Sequence, residues 1–87
     1  MFTIEVMEGA SDGPFRLGET EDMLEATFLA RDDVCESAAT TVAYVKCGDE
    51  IVYVIERFGE SGYVSRRDGR KVTTLDEALR LLRGGSR

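Results

Sequence analysis

The first residues alternate between apolar and mostly polar side chains, and the alternation predicts a half-buried strand. In FTIEVM (residues 2–7) the apolar side chains of Phe2, Ile4 and Val6 share one side. EGASDGP (8–14) holds two glycines and the only proline, which is typical of a turn. FRL (15–17) then predicts a short second strand.

A period of two returns after residue 38. TTVAYVKC (40–47) and EIVYVIERF (50–58) predict two strands joined by Gly48 and Asp49, with the glycine first, as a type II′ turn prefers. GESG (59–62) turns the chain again, and Asp68-Gly69 predicts a second tight hairpin. We therefore expect a four-strand meander from about Thr40 to Thr73.

Two segments have helical periodicity. Residues 19–36 predict an acidic helix, with Thr20 as a candidate N-cap. In TTLDEALRLLRGG (73–85), Thr74 stands three residues before Glu77 as in a capping box, and Gly84 ends the helix. The order of elements predicts one α+β domain over residues 1–83 with a frayed tail at 84–87. We expect an antiparallel sheet, built from the N-terminal strand and the meander, with both helices packed on one face.

Charge is distributed unevenly along the chain. The formal net charge is −6, with −8 in residues 1–36 and +2 in residues 37–87. Because phosphates repel the acidic half, we expect no direct binding of nucleic acid there. No apolar run suits a membrane span, and no signal peptide is present, so we expect a cytoplasmic protein with Cys35 and Cys47 reduced.

The composition disfavours enzymatic chemistry. Histidine is absent, which removes the commonest general base and most zinc sites. GESG lacks a glycine and the histidine partner of a nucleophile elbow. Carboxylates are plentiful, but a catalytic pair needs a pocket that separates the two pKa values. We expect no catalytic residue, no metal site and no cofactor.

On a helical wheel, the residues of the acidic helix separate into an apolar arc and an acidic arc. Leu29 stands in the middle of the acidic arc, as an apolar side chain ringed by carboxylates. The wheel predicts that the other arc faces the core: Thr20, Met23, Leu24, Thr27, Phe28, Ala30, Val34 and Cys35.

Acids near the C-terminal end of this helix oppose its dipole, and several like charges stand three or four residues apart. Each such pair costs about 0.2–0.5 kcal/mol. The cost is offset either internally, by the basic hairpin Arg66, Arg67, Arg70 and Lys71, or externally, by a cationic partner. A solvated face and a partner-binding face both remain open at this point.

Three kinds of protein fit these features. The first is a small interaction module that docks its acidic helix on the basic, nucleic-acid-binding surface of a partner and inhibits it stoichiometrically. Its size, charge and lack of catalytic groups are similar to the profile of phage anti-defence proteins such as anti-CRISPR proteins. The second is a self-associating structural or regulatory subunit, for example a homodimer. The third is a weak enzyme or ligand-binding module that uses a pocket between the helices and the sheet. The predicted partner-binding residues are Glu21, Asp22, Glu25, Leu29, Asp32, Asp33 and Glu36, and the secondary interface is Tyr63, Arg66, Arg67 and Arg70.

From residue 19 onward the predicted order is helix, three strands, helix. By topology alone this resembles double-stranded-RNA-binding domains. The resemblance implies a fold and not a function, because that family has lysines at the start of its last helix. Here Asp76 and Glu77 stand at that place.

Overall fold

The fold is an antiparallel sheet with one helix on each face. The computed structural model describes residues 1–9, 13–37, 40–57, 62–63 and 71–84. The elements in chain order are β1 (Phe2–Glu8), β2 (Phe15–Thr20), α1 (Met23–Glu36), β3 (Thr40–Cys47), β4 (Glu50–Glu56), β5 (Gly62–Tyr63) and α2 (Leu75–Gly84). The predicted α+β class is confirmed.

The sheet has the strand order β2-β1-β3-β4-β5, and every neighbouring pair is antiparallel. β1 lies beside β3, with Ile4 opposite Val45, so the N-terminal strand is part of the main sheet. The two-residue turn between β3 and β4 is confirmed, since Cys47 pairs with Glu50 and Gly48 has a φ of 67°. This left-handed conformation is one that glycine adopts without steric cost.

The described part of the predicted meander contains three strands, β3, β4 and β5. β5 has two residues, and the described part of RKVTT contains no strand. The backbone carbonyl of Val72 instead accepts a single hydrogen bond of 2.7 Å from the N–H of Ile51 at the start of β4. The predicted hairpin at Asp68-Gly69 lies outside the described residues.

Two separate hydrophobic clusters lie on opposite faces of the sheet. Ala43 and Val45 of β3 pack with α1, whereas Val42 and Tyr44 pack with α2. The prediction that both helices share one face is therefore wrong. The physical reason lies in β3, where four consecutive apolar residues leave both sides of the strand in need of cover. From α1 to α2 the elements follow the order helix, three strands, helix. The resemblance to double-stranded-RNA-binding domains is limited to this order of elements.

Both helices begin at side-chain caps. Thr74 Oγ1 accepts a hydrogen bond of 3.3 Å from the N–H of Glu77, so the predicted cap of α2 is confirmed. The N-cap of α1 is Asp22 rather than Thr20, and its carboxylate accepts from the N–H of Leu24 at 3.0 Å. Thr20 closes β2 and donates its hydroxyl to Glu25 at 2.7 Å, which ties the start of α1 to the sheet.

Candidate protein-interaction face

Helix α1 contacts the sheet through its small residues. Ala26 and Ala30 are 0% exposed and lie in the core cluster with Val34 and the strand residues beneath them. Leu29 is half-buried and packs against the same cluster, so it is not the exposed apolar anchor that the wheel predicts. The helix is rotated relative to the predicted orientation, toward its alanines.

The rotation exposes three residues that the sequence assigns to the core. Leu24 is 74% exposed, Phe28 is 63% exposed and the thiol of Cys35 is also exposed. An Ala-x-x-x-Ala-x-x-x-Val repeat from residue 26 to residue 34 is the sequence signal for this arrangement. Small side chains let the helix backbone approach the sheet closely, and larger apolar side chains on the far side are then left in solvent.

The C-terminal end of α1 is held by a polar cluster beside the sheet. The buried Thr40 donates its hydroxyl to Asp33 Oδ2 at 2.7 Å. Arg57 donates from Nε to the carbonyl of Thr40 at 3.0 Å and from its guanidinium to the carbonyl of Ser37. These bonds orient Asp33 toward the sheet, so this predicted partner-binding acid has a structural role and is only partly exposed.

The other predicted acids of the helix face solvent. Among the described residues no ion pair engages them. Ion pairs elsewhere include Arg16 with Glu19 at 2.5 Å and Lys71 with Asp49 at 3.2 Å. Lys71 was one of the four residues proposed to neutralise the helix internally, and its contact is with the turn between β3 and β4. The exposed acids are Glu21, Asp22, Glu25, Asp32 and Glu36.

The predicted secondary interface is described only in small part. The backbone of Tyr63 pairs with Tyr53 at the edge of the sheet. The side chain of Tyr63 and the residues Arg66, Arg67 and Arg70 lie outside the described residues.

A shallow pocket of about 180 Å³ lies on the exposed side of α1. Phe28, Arg31, Asp32 and Cys35 line it, so it combines an aromatic ring, a guanidinium, a carboxylate and a thiol. We call this side of the helix the outer face. Its members are the stripe Leu24, Phe28, Arg31 and Cys35 and the flanking acids Glu25, Asp32 and Glu36, together with Glu21 just before the N-cap.

The outer face has the composition of an association surface. Its carboxylates are exposed to water. In the described ranges no group of three or more metal-binding side chains comes together. Exposed large apolar side chains within a charged rim are typical of a protein interface.

Among the described residues, the strongly shifted pKa belongs to a group on the opposite face of the sheet. Burial raises the pKa of Tyr44 well above its usual range, and the hydrogen bond and charge of Glu5 add to the effect. The Tyr44 hydroxyl donates to Glu5 Oε1 at 2.7 Å. The pair links β3 to β1 next to the α2 cluster, and we assign it a structural role.

No protein-family model, curated protein or solved structure matches the chain. Of the helices in the described part of the chain, neither is long and apolar enough to cross a membrane.

Proposed function

We propose that the protein is a small interaction module that docks the outer face of α1 on a basic surface of a partner protein. Where that surface normally holds DNA or RNA, the module acts in the cytoplasm as a stoichiometric inhibitor that excludes the nucleic acid. One observation carries the proposal: two large apolar side chains, Leu24 and Phe28, stand exposed beside a row of carboxylates.

The apolar residues Leu24 and Phe28 support a binding role because neither belongs to the hydrophobic clusters of the described residues. Leu24 and Phe28 stand one helical turn apart and face away from the core that α1 covers. Burying a side chain of this size contributes about 1.5–3 kcal/mol. Interfaces concentrate their binding energy on such central anchors, surrounded by a polar rim.

The acids support a cationic partner. Asp32 and Glu36 stand four residues apart on α1, and a like-charge pair with this spacing destabilises an isolated helix by about 0.2–0.5 kcal/mol. Lysines and arginines on a partner relieve this repulsion on binding. They also accelerate association by electrostatic steering, which weakens as salt is added.

A pull-down with matched charge variants tests the proposal. The test variant carries Glu21→Lys, Glu25→Lys and Asp32→Lys, and the control carries Glu19→Lys, Asp49→Lys and Asp76→Lys at exposed sites outside α1. Each reversal adds two positive charges, so both variants bring the formal net charge of −6 to zero. We expect wild type and control to retain the same partner at low salt, and the test variant to lose it.

The retained partner is then assayed for nucleic-acid binding with increasing amounts of the wild-type protein. We expect inhibition to be complete near one equivalent. Loss of the partner from both triple variants assigns the binding to overall charge rather than to α1. Retention by the test variant shows that the outer face is only solvated, and either result refutes the proposal.

A further inference from the structure

The pocket on the outer face has the arrangement of a helix-packing site. Its four lining residues stand at positions i, i+3, i+4 and i+7, starting from Phe28. In coiled coils a side chain of one helix inserts into a hole formed by four residues of the facing helix. Residues with this spacing enclose such a hole, because they are nearest neighbours on the helix surface.

The stripe that contains the pocket continues toward the start of α1. Leu24, Phe28, Arg31 and Cys35 are separated by four, three and four residues, which is the spacing of the seam of a heptad repeat. All four are exposed, and the stripe lies opposite the alanines that face the sheet. A second helix can therefore lie along α1 without displacing any core contact.

Charge determines which kind of helix fits. Glu25 and Asp32 stand seven residues apart, so they occupy equivalent positions on the same edge of the stripe. Charged residues at such flanking positions set the choice of partner helix. Arg31 is the single cation on the outer face, so a second copy of α1 brings like charges together and is disfavoured.

We propose that the partner docks with a basic amphipathic helix. This helix lies along the stripe, inserts an apolar side chain into the pocket at Phe28, and places lysine or arginine beside Glu25 and Asp32. The inference rests on the proposed function and specifies the element by which the partner binds.

Two synthetic peptides and the intact protein test the inference. The first peptide is a helix of three heptads with leucine at its two seam positions and lysine at the flanking positions. The second has the same composition in scrambled order, so that its net charge is identical. Binding of each labelled peptide is measured by fluorescence anisotropy at low salt. We expect the heptad peptide to bind at least about tenfold more tightly than the scrambled one.

The variant Phe28→Glu separates helix packing from attraction between charges. It adds a carboxylate to the outer face but removes the aromatic wall of the pocket. Packing predicts that affinity for the heptad peptide falls about tenfold, whereas simple electrostatics predicts that it rises. Asp32→Lys is expected to weaken binding, and Asp76→Lys, which makes the same charge change on α2, is expected to leave it unchanged.

The outcomes distinguish the two proposals. If both peptides bind equally and Phe28→Glu strengthens binding, the helix-docking inference is overturned and the acidic face still docks on basic surfaces. If neither peptide binds the wild-type protein, the outer face does not recognise cationic partners, and both proposals fail. Thermal unfolding of each variant establishes that lost binding does not reflect lost folding.

Discussion

Helices α1 and α2 differ in how much of their apolar surface the sheet uses. Every leucine of α2 packs in the cluster with Ala78 and the strands beneath it. Helix α1 packs through Ala26, Ala30 and Val34 and leaves Leu24 and Phe28 in solvent. The apolar residues of α2 are thus accounted for by folding, whereas two of those in α1 are available for a partner.

The largest test of this difference is Ala30→Leu. Ala30 is fully buried against the sheet, so the added atoms must displace neighbours, and we expect the free energy of unfolding to fall by about 1–3 kcal/mol. Urea denaturation measures the change. Leu24→Ala is the matched comparison, and its effect is expected to stay within about 0.5 kcal/mol because Leu24 is exposed. If Leu24→Ala strongly lowers the free energy of unfolding and Ala30→Leu does not, α1 has the orientation that the helical wheel predicts.

A pH titration sharpens the contrast between the two sides of the sheet. Tyr44 packs on the α2 side, and its pKa is raised in the folded protein. As pH rises above about 10, tyrosine in the unfolded chain loses its proton first, so stability falls. Above about pH 10, the free energy of unfolding falls by up to about 1.4 kcal/mol per pH unit because of Tyr44. Below about pH 10, Tyr44 is protonated in both states and the folded protein keeps the full stability.

The variant Tyr44→Phe has no ionisable group at this position, so its stability is expected to fall less steeply with pH above about 10. Denaturant unfolding of wild type and variant between neutral and strongly alkaline pH gives the slope of unfolding free energy against pH for each protein. Equal slopes would show that Tyr44 ionises as readily in the folded as in the unfolded protein, contrary to the buried hydrogen bond with Glu5.

The smallest expected effect concerns the start of α2. Thr74 accepts from the N–H of Glu77, and Thr74→Ala removes that cap, so we expect a loss of about 1 kcal/mol in urea unfolding. Because α2 lies on the opposite side of the sheet from the outer face, peptide binding by α1 should be unaffected. A change in that binding would show that the two faces are coupled.

Local patterns were sufficient for much of the architecture. Alternation predicted β1, β3 and β4, a glycine-led dipeptide predicted the turn at Gly48, and a threonine three residues before a glutamate predicted the cap of α2. These features depend on interactions between residues close in sequence, or on side chains that alternate between the two faces of a strand, and both leave a signal in the local sequence. The acidic residues in and just before α1 were also identified, and of those predicted to bind a partner five are exposed.

Tertiary contacts decided which side of each element is buried. A helical wheel ranks α1 by hydrophobicity and so assigns Leu24 and Phe28 to the core, yet close packing on Ile4 and Val45 favours the alanines. The hydrogen bond between Thr40 and Asp33 then orients the end of the helix. The position of α2 was likewise set by β3, whose two apolar faces both require cover. Which side of an element is buried depends on how its side chains pack against residues that are distant in sequence. A short segment of the sequence does not contain both sets of residues.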